Sequence, residues 1–561
     1  MQNNTIIMKK KIIFLFLFFS LFSRIYSQEA LKSGAEEYYD FLSLQGYAER
    51  PTLNYRTLSD SVWNIIEDAE HPWQNQNLAS IHPLFGDFNI RIYGPELFMS
   101  VNTAAPYGQN DGVLWQGRGF NTLFKSGVRF EGYGVELTLL PHFAFSQNFR
   151  FNIMPSHYES EYGYFWGYGE AKTYSGGADA PQRFGDKPFF DWDFGDTEIR
   201  YTWKTLTIGF GTQTIWLGPA YLNPILHSNN APIYPKLDVG LRRQKIIIPW
   251  LDWYIGDIET RFWLGRLSES DFFDNDDRND YTMFHGFAFA YAPSFLPGLT
   301  LFFNRVCLTF WDLKNLKHIM PTKINAEDDQ KLSFGISWLF SPIGFEIFGE
   351  IGIDDSIPND LIGIFRHPFH STVYTAGLKK HLKIIPKYSL TGEIIFEFNW
   401  MEMTKDFFFE GSYSYYFHHE IDHGYTNRGQ WLGNGLGSGG NSQYLAFALY
   451  YLHGTSSIFI QRNNPDNDFL YKNAINSSAS DGSLKSENKD HNRANFNFGI
   501  NTLFFAPKNI NISGGFVYNM IINPFYERTD DLSGTPPYVN HYKRNVLMHN
   551  FHFNLGLKLV L

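Results

Sequence analysis

The last eleven residues of the chain alternate strictly. Phe551, Phe553, Leu555, Leu557, Leu559 and Leu561 are apolar, and His552, Asn554, Gly556 and Lys558 fall between them. Successive side chains of a strand point to opposite faces. One face of this segment is therefore suited to an apolar medium and the other to a wet interior. The run has the roughly 9–11 residues that a tilted strand needs to cross a bilayer. A soluble sandwich also alternates, so repetition carries the argument. Phe496–Ile500 leads through Ala506-Pro507-Lys508-Asn509 into Ile510-Asn511-Ile512. Phe287–Tyr291 leads into Leu299–Phe302, and Trp338–Phe340 turns at Ser341-Pro342-Ile343-Gly344 into Phe345–Phe348. Ile384-Ile385 turns at Pro386-Lys387 into Tyr388–Leu390. Longer polar stretches separate these hairpins, over 146–192, 218–238, 266–282, 402–442, 463–492 and 523–545. Short turns at one end and long loops at the other match outer-membrane barrels. Residues 85–561 are expected to form an all-β, closed antiparallel transmembrane barrel of about 16–18 strands. Phe551, Phe553 and Leu555 are expected to face outward, and His552 and Asn554 inward.

The N-terminus agrees with export. Lys9, Lys10 and Lys11 precede the apolar run Ile12–Phe19 and Ser20-Leu21-Phe22. That run is too short for a spanning helix and has the form of a signal-peptide core. Residues 1–27 are read as the signal, with Gln28, not a lipid-accepting Cys, following it. Removing its four cations from a chain of formal net charge −11 leaves −15. Such a balance disfavours nucleic acid as a partner. Cys307 is the sole cysteine, which excludes an intrachain disulfide and a thiolate metal cluster. Aromatic residues make up 18% of the chain, with 55 Phe and 33 Tyr. They suit a lipid-facing wall with interfacial girdles, or else one large core. No later stretch is long and apolar enough for a spanning helix, and only helices and closed barrels satisfy the backbone inside lipid.

Residues 28–84 read differently. Glu36–Gly46 has helical spacing, with acids early and Gly at its end, which predicts a helix over 35–45 lying outside the membrane band. Ser59–Ile66 resembles a second capped helix. Together they suggest a small periplasmic helical element; the alternative is a loose leader.

Four segments carry a family likeness in order and spacing. They are Trp115–Asn121; Trp216–Pro219 followed by His227–Pro232; Phe348–Gly352 with Asp354-Asp355; and Tyr415–His419 with Gly424–Gln430. The chain after about position 85 resembles the Wzi-type capsule assembly family. The resemblance implies an outer-membrane barrel with a periplasmic helical element. It also implies a non-enzymatic, lectin-like role: binding exported capsular polysaccharide and anchoring it at the cell surface. Outer-membrane lipid would be the other partner, and no cofactor is implied. A porin for small solutes is the alternative.

The residues themselves offer carbohydrate-type groups: planar amides, carboxylates, Arg and aromatic faces. The binding candidates are Asn229, Asn230, Glu350, Asp354, Asp355, Tyr425 and Arg428. Asn229 and Asn230 also suit a turn. The acids also suit lumen ion pairs, and Arg428 can grip either such an acid or an acidic sugar. Tyr158, Tyr162, Tyr164, Phe165, Trp166, Tyr168 and Tyr174 can stack on sugars or pack within their loop. His419-Glu420-Ile421-Asp422-His423 matches a zinc-protease pattern. That chemistry needs a helix, and the preceding Ser412–Phe417 reads as strand. Four strand residues span about 13 Å, so no zinc is expected there. Asp274, Asp276, Asp277 and Asp280 lack EF-hand spacing and read as a solvated acidic loop. A lipid-modifying enzyme would need a nucleophile and base at the lipid boundary, and no convincing pair is present.

Overall fold

The computed structural model describes residues 28–29, 32–66, 70–154, 160–163, 178–274, 276–319, 328–354, 371–385, 390–402, 415–418, 420–465, 467–470, 490–527 and 543–561. Within them, 18 antiparallel strands close into a barrel. They are β1 (Asn89–Asn102), β2 (Gly119–Gly132), β3 (Val135–Leu139 and His142–Ser146), β4 (Phe189–Asp193 and Glu198–Trp203), β5 (Leu206–Gly211) and β6 (Lys236–Ile248). There follow β7 (Trp253–Ser268), β8 (Tyr281–Pro293), β9 (Leu299–Phe310), β10 (Asp329–Phe340), β11 (Phe345–Asp354) and β12 (Thr372–Ile385). The wall finishes with β13 (Leu390–Trp400), β14 (Asn441–Tyr451), β15 (Gly454–Asn464), β16 (Ala494–Ala506), β17 (Ile510–Ile522) and β18 (Leu547–Leu559). β18 closes on β1 with Phe553 opposite Val101 and Lys558 opposite Glu96. Below that point Ser80–Pro83 takes over as the partner of β1.

All the short connections fall at one end. The β2–β3 turn is Tyr133-Gly134, both at positive φ, the geometry that a two-residue hairpin requires. At Ser341–Ile343 a single 3-10 turn ends on left-handed Gly344, as the Ser-Pro-Ile-Gly signature suggested. The expected turn at Pro386-Lys387 lies outside the described residues. The connections at the opposite end are long, and they include 103–118, 311–328 and 355–371 besides those expected. The alternation on β18 is as anticipated: Phe553 is 49% exposed on the outer face and His552 3% exposed inside. No described helix is long and apolar enough to cross a membrane; the strands do so.

The lumen is occupied from both ends. At the short-hairpin end sits helix α1, Gly34–Leu44. Ser33 caps it, its Oγ accepting from the Glu36 amide, and Glu36 and Glu37 suit the positive first turn. Its apolar face buries Tyr38, Tyr39, Phe41 and Leu42 with Trp73, Tyr450 of β14 and Phe505 of β16. The second expected helix is absent. Val62–Ile65 is instead a short strand paired with Ala48–Glu49. The β-branched Val62 and Ile65 suit a strand, and Asp60 does not cap a helix. Its carboxylate pairs with Arg242 of β6 at 2.7 Å and Arg261 of β7 at 3.0 Å.

This N-terminal element is held to the inner wall by charge. Arg50 grips Glu346 of β11 with two hydrogen bonds of 2.6 and 2.7 Å and reaches Asp40 at 2.8 Å. Lys379 of β12 pairs with Asp40 as well. Glu259 of β7 accepts the backbone N–H groups of Leu53, Asn54 and Tyr55 at 2.7–3.1 Å. Removing one partner of a buried pair strands the other, at a cost of about 3–5 kcal/mol. Arg50→Ala should therefore free α1 without opening the barrel. Hydrogen exchange over residues 34–44 should accelerate while that of β16–β18 stays slow; equal protection of α1 in both proteins would refute the anchoring role.

Candidate functional site

The long-loop end is closed by connections that fold inward. Ile215, Leu217, Ile225 and Leu226 of the β5–β6 loop pack with Tyr415, Tyr416, Tyr425, Trp431 and Leu432 of the β13–β14 loop, against Trp263 and Phe284 of the wall. Backbone and side-chain bonds lock the two loops together. Ser228 N–H donates to Leu432 O at 2.9 Å, Tyr416 Oη to Ile225 O at 2.5 Å, and Asn427 Nδ2 to Pro232 O at 2.8 Å. His227 Nε2 meets the Tyr234 hydroxyl at 2.9 Å. Burial, with Lys236 nearby, pushes that imidazole down to about 3. Beneath them Glu397 of β13 accepts four bonds of 2.6–3.0 Å, from the amides of Tyr221, Leu222 and Asn223 and from Asn223 Nδ2. One carboxylate thus satisfies three successive amides of an irregular turn.

Most sequence candidates sit within or beside this plug. Tyr425 is fully buried, stacked on Tyr416 at 5.2 Å, and its hydroxyl donates to Leu226 O at 2.8 Å. Asn230 is buried: its Nδ2 donates to Trp431 O at 3.0 Å and its Oδ1 accepts from the Asn110 amide at 3.1 Å. Asn229 is half-buried, and its carbonyl accepts from Gly112 N–H at 2.8 Å. Glu350 is buried on β11 beneath Gly218. Asp354 pairs with Lys331 at 3.0 Å. Arg428, in left-handed backbone, pairs with Asp191 of β4 and remains one-third exposed. Asp355 lies outside the described residues. So do Tyr158, Tyr164, Phe165, Trp166, Tyr168 and Tyr174; Tyr162 meets Phe272 edge-on at 5.6 Å.

His419 is also outside the described residues. His423 is buried, with Nε2 bonded to the Thr282 hydroxyl, and burial lowers it to about 4. Among the described residues no three His, Cys, Asp or Glu side chains are grouped for a metal ion. In the acidic loop Asp276 pairs with Arg278, and Asp274 accepts the Asp276 amide at 2.8 Å.

A cleft of about 250 Å³ lies above the plug. Its aromatic walls are Tyr107, Trp115, Trp431 and Tyr526, and its amides are Gln109, Gln116, Gln182, Asn230 and Gln430. Two charged groups join them. Arg493 lies 5.3 Å from the Tyr526 ring centre. Asp111 accepts from Gln116 Nε2 at 2.7 Å, and burial pushes its carboxyl up to about 7. Flat rings beside planar amides are the groups that receive a sugar's C–H face and its hydroxyls. Of the sequence candidates only Asn230 lines this cleft, with Arg428 next in the chain to its Gly429. Trp115, Gln116 and Gln430 stood within the motifs read from the sequence. Tyr107, Gln109 and Asp111 were missed because their connection carries no compositional signal.

Residues 142–308 match the family model of the capsule assembly protein Wzi. That segment of the chain is thus similar to the Wzi capsule assembly family. The family segment runs from the upper half of β3 to β9 and contains the β5–β6 loop of the plug. Among solved structures the chain is similar to Wzi of Escherichia coli, described as an outer membrane protein involved in group 1 capsule assembly and a carbohydrate-binding β-barrel. The likeness covers 85% of this chain and 84% of that one, at 11% identity and a TM-score of 0.53. OprB of Pseudomonas putida (9% identity, 84% and 94% covered, TM-score 0.35) and OccAB2 of Acinetobacter baumannii (10%, 87% and 99%, 0.37) are more distant. No curated protein matches the chain. The barrel belongs to the bacterial outer membrane.

The packing separates two of the candidates. Tyr425→Ala empties a buried aromatic site and should cost about 3–5 kcal/mol, while loss of the partly exposed Arg428–Asp191 pair should cost under about 1 kcal/mol. Thermal unfolding of the two purified variants checks this; comparable losses in both would contradict the placement.

Proposed function

We propose that this barrel binds an exported capsular polysaccharide and retains it at the cell surface, without chemical conversion. The observation that carries the reading is the aromatic and amide-lined cleft at the long-loop end. Long loops face outward in outer-membrane barrels and short turns face the periplasm. On that orientation the cleft is extracellular, residues 28–84 with α1 plug the lumen from the periplasmic side, and residues 1–27 are the export signal. Of the candidate residues, Asn230 would contact sugar within the cleft and Arg428 at its rim. Asn229, Glu350, Asp354 and Tyr425 would act by holding the plug. A repeating polymer engages many copies of the protein, so weak contacts gain retention through effective concentration. A lumen filled from both ends supports a binder over a channel.

The test is the ratio of cell-bound to shed polysaccharide, with folded barrel in the membrane measured alongside. A strain lacking the protein should shed its capsule. Tyr526→Ala should weaken binding of purified polysaccharide roughly tenfold, the equivalent of about 1.4 kcal/mol, with the barrel still folded. Normal retention in the strain without the protein would sink the reading.

Asp111 adds a pH dependence. Its carboxyl ionises only near pH 7. Below that it offers a donor and an acceptor, and above it an anion. An acidic polymer should therefore bind more weakly at pH 8 than at pH 6, and Asp111→Asn should remove the difference. A wild-type profile that Asp111→Asn leaves unchanged would show that the group does not face the ligand.

A further inference from the structure

A second void of about 1120 Å³ lies below the plug, between the N-terminal element and the barrel wall. It extends to the short-hairpin rim at Pro297, Gly298 and Ser341. The wall around it is used unevenly. From β6 to β14 its inward groups hold the N-terminal element, as Arg242, Glu259, Glu346 and Lys379 do. From β16 through β17, β18 and β1 to β2 the inward polar groups face the void, while Leu503 and Phe505 of β16 pack on the N-terminal element.

These groups form rungs, because the strands are in register. Asn501, Gly515 and Asn554 stand side by side on β16, β17 and β18. Two residues lower Ser513 and Gly556 stand between Leu503 and Phe98. The next rung is Asn511, Lys558, Glu96 and Lys125, with Lys125 paired to Glu96 at 3.3 Å. Rungs two residues apart are separated by about 6.6 Å, so three span about 13 Å. Glycine keeps the middle of the face low. A Cβ on Gly515 would lie 2.4 Å from Asn501 Oδ1 and 2.6 Å from Asn554 Nδ2, and one on Gly556 would lie 2.2 Å from Ser513 Oγ. The Asn501 and Asn554 amides therefore fold down onto the bare backbone at Gly515 and form the floor of a shallow trough. Asn501 is exposed to the void, and its amide, like those of Asn511 and the Ser513 hydroxyl, bonds to no side chain or loop among the described residues.

A carboxamide offers donors and an acceptor in one plane, which is what adjacent hydroxyls of a sugar require. We infer that this trough is a second binding site, taking a short neutral oligosaccharide segment at the short-hairpin end of the barrel. The site is separate from the outer cleft: residues 221–223, clamped by Glu397, stand between the two, bonded from above by Gln109 and Asn110. It does not depend on the capsule reading.

The test uses the full chain in detergent, with maltopentaose, cellopentaose and chitopentaose as calorimetric probes. At least one should bind saturably. The double variant Asn501→Ala/Ser513→Ala should weaken that binding at least tenfold, while Tyr526→Ala in the outer cleft leaves it unchanged. Because Cys307 is fully buried, a thiol placed by Asn501→Cys can be alkylated selectively, and a bound probe should slow its labelling. Failure of all three probes to bind, loss of binding in Tyr526→Ala but not in the double variant, or labelling that saturating probe leaves unchanged would each overturn the inference. Capsule retention is read separately on cells, so a failed trough and a failed surface-binding role give different results.

Discussion

Backbone pairing governs everything else in this molecule. Inside lipid an N–H or C=O left without a partner costs several kcal/mol, so the wall must close on itself. Closure falls to the contact of β18 with β1, continued below by Ser80–Pro83. A barrel of this size then encloses more space than its own side chains can fill. Its interior has to be wet, plugged or both. Here it is both: loops descend from one end, the N-terminal element enters from the other, and voids are left above and below the loop plug.

The plugs are fixed by carboxylates that serve backbone as well as cations. Glu259 receives three consecutive amides of the N-terminal element and Glu397 three of the β5–β6 loop. Each lets an irregular turn sit where no strand partner is available. Arginine does the complementary work, with Arg261 bridging Asp60 and Asp238 and Arg200 joining Asp238 to Glu198. A polar interior is the ordinary state of such barrels; in this one most of the described wall is committed to particular partners.

What could be read in the sequence follows from how local each determinant is. Alternation on β18 and the Ser-Pro-Ile-Gly turn are encoded by neighbours, and both are present as read. Helix α1 follows from Ser33, Glu36 and Glu37 for the same reason. The supposed helix at Ser59 fails because Asp60 answers to Arg242 and Arg261, about two hundred positions away. The candidate site shows the same division. Tyr425 and Asn230 were recognisable as special, but their burial depends on Leu226 and Trp431, which only the folded loops bring close. Asp191, which pairs with Arg428, could not be picked out among the other acids. The cleft draws its lining from seven separate stretches, and only three of them carry residues singled out in the sequence.

The placement of α1 also bears on the order of assembly. Trp73 Nε1 donates to the carbonyls of Tyr451 and Gly454, up to 381 positions later in the chain. Contacts of such separation form late, since the long intervening loop must first be closed. The N-terminal element is thus translated long before the strands it packs on, and is among the last parts to find its partners. Until β14 exists, the rings of Tyr38 and Phe41 have no Tyr450 to cover them. Before that strand is in place these rings are an exposed aromatic patch, and the finished barrel is what covers it.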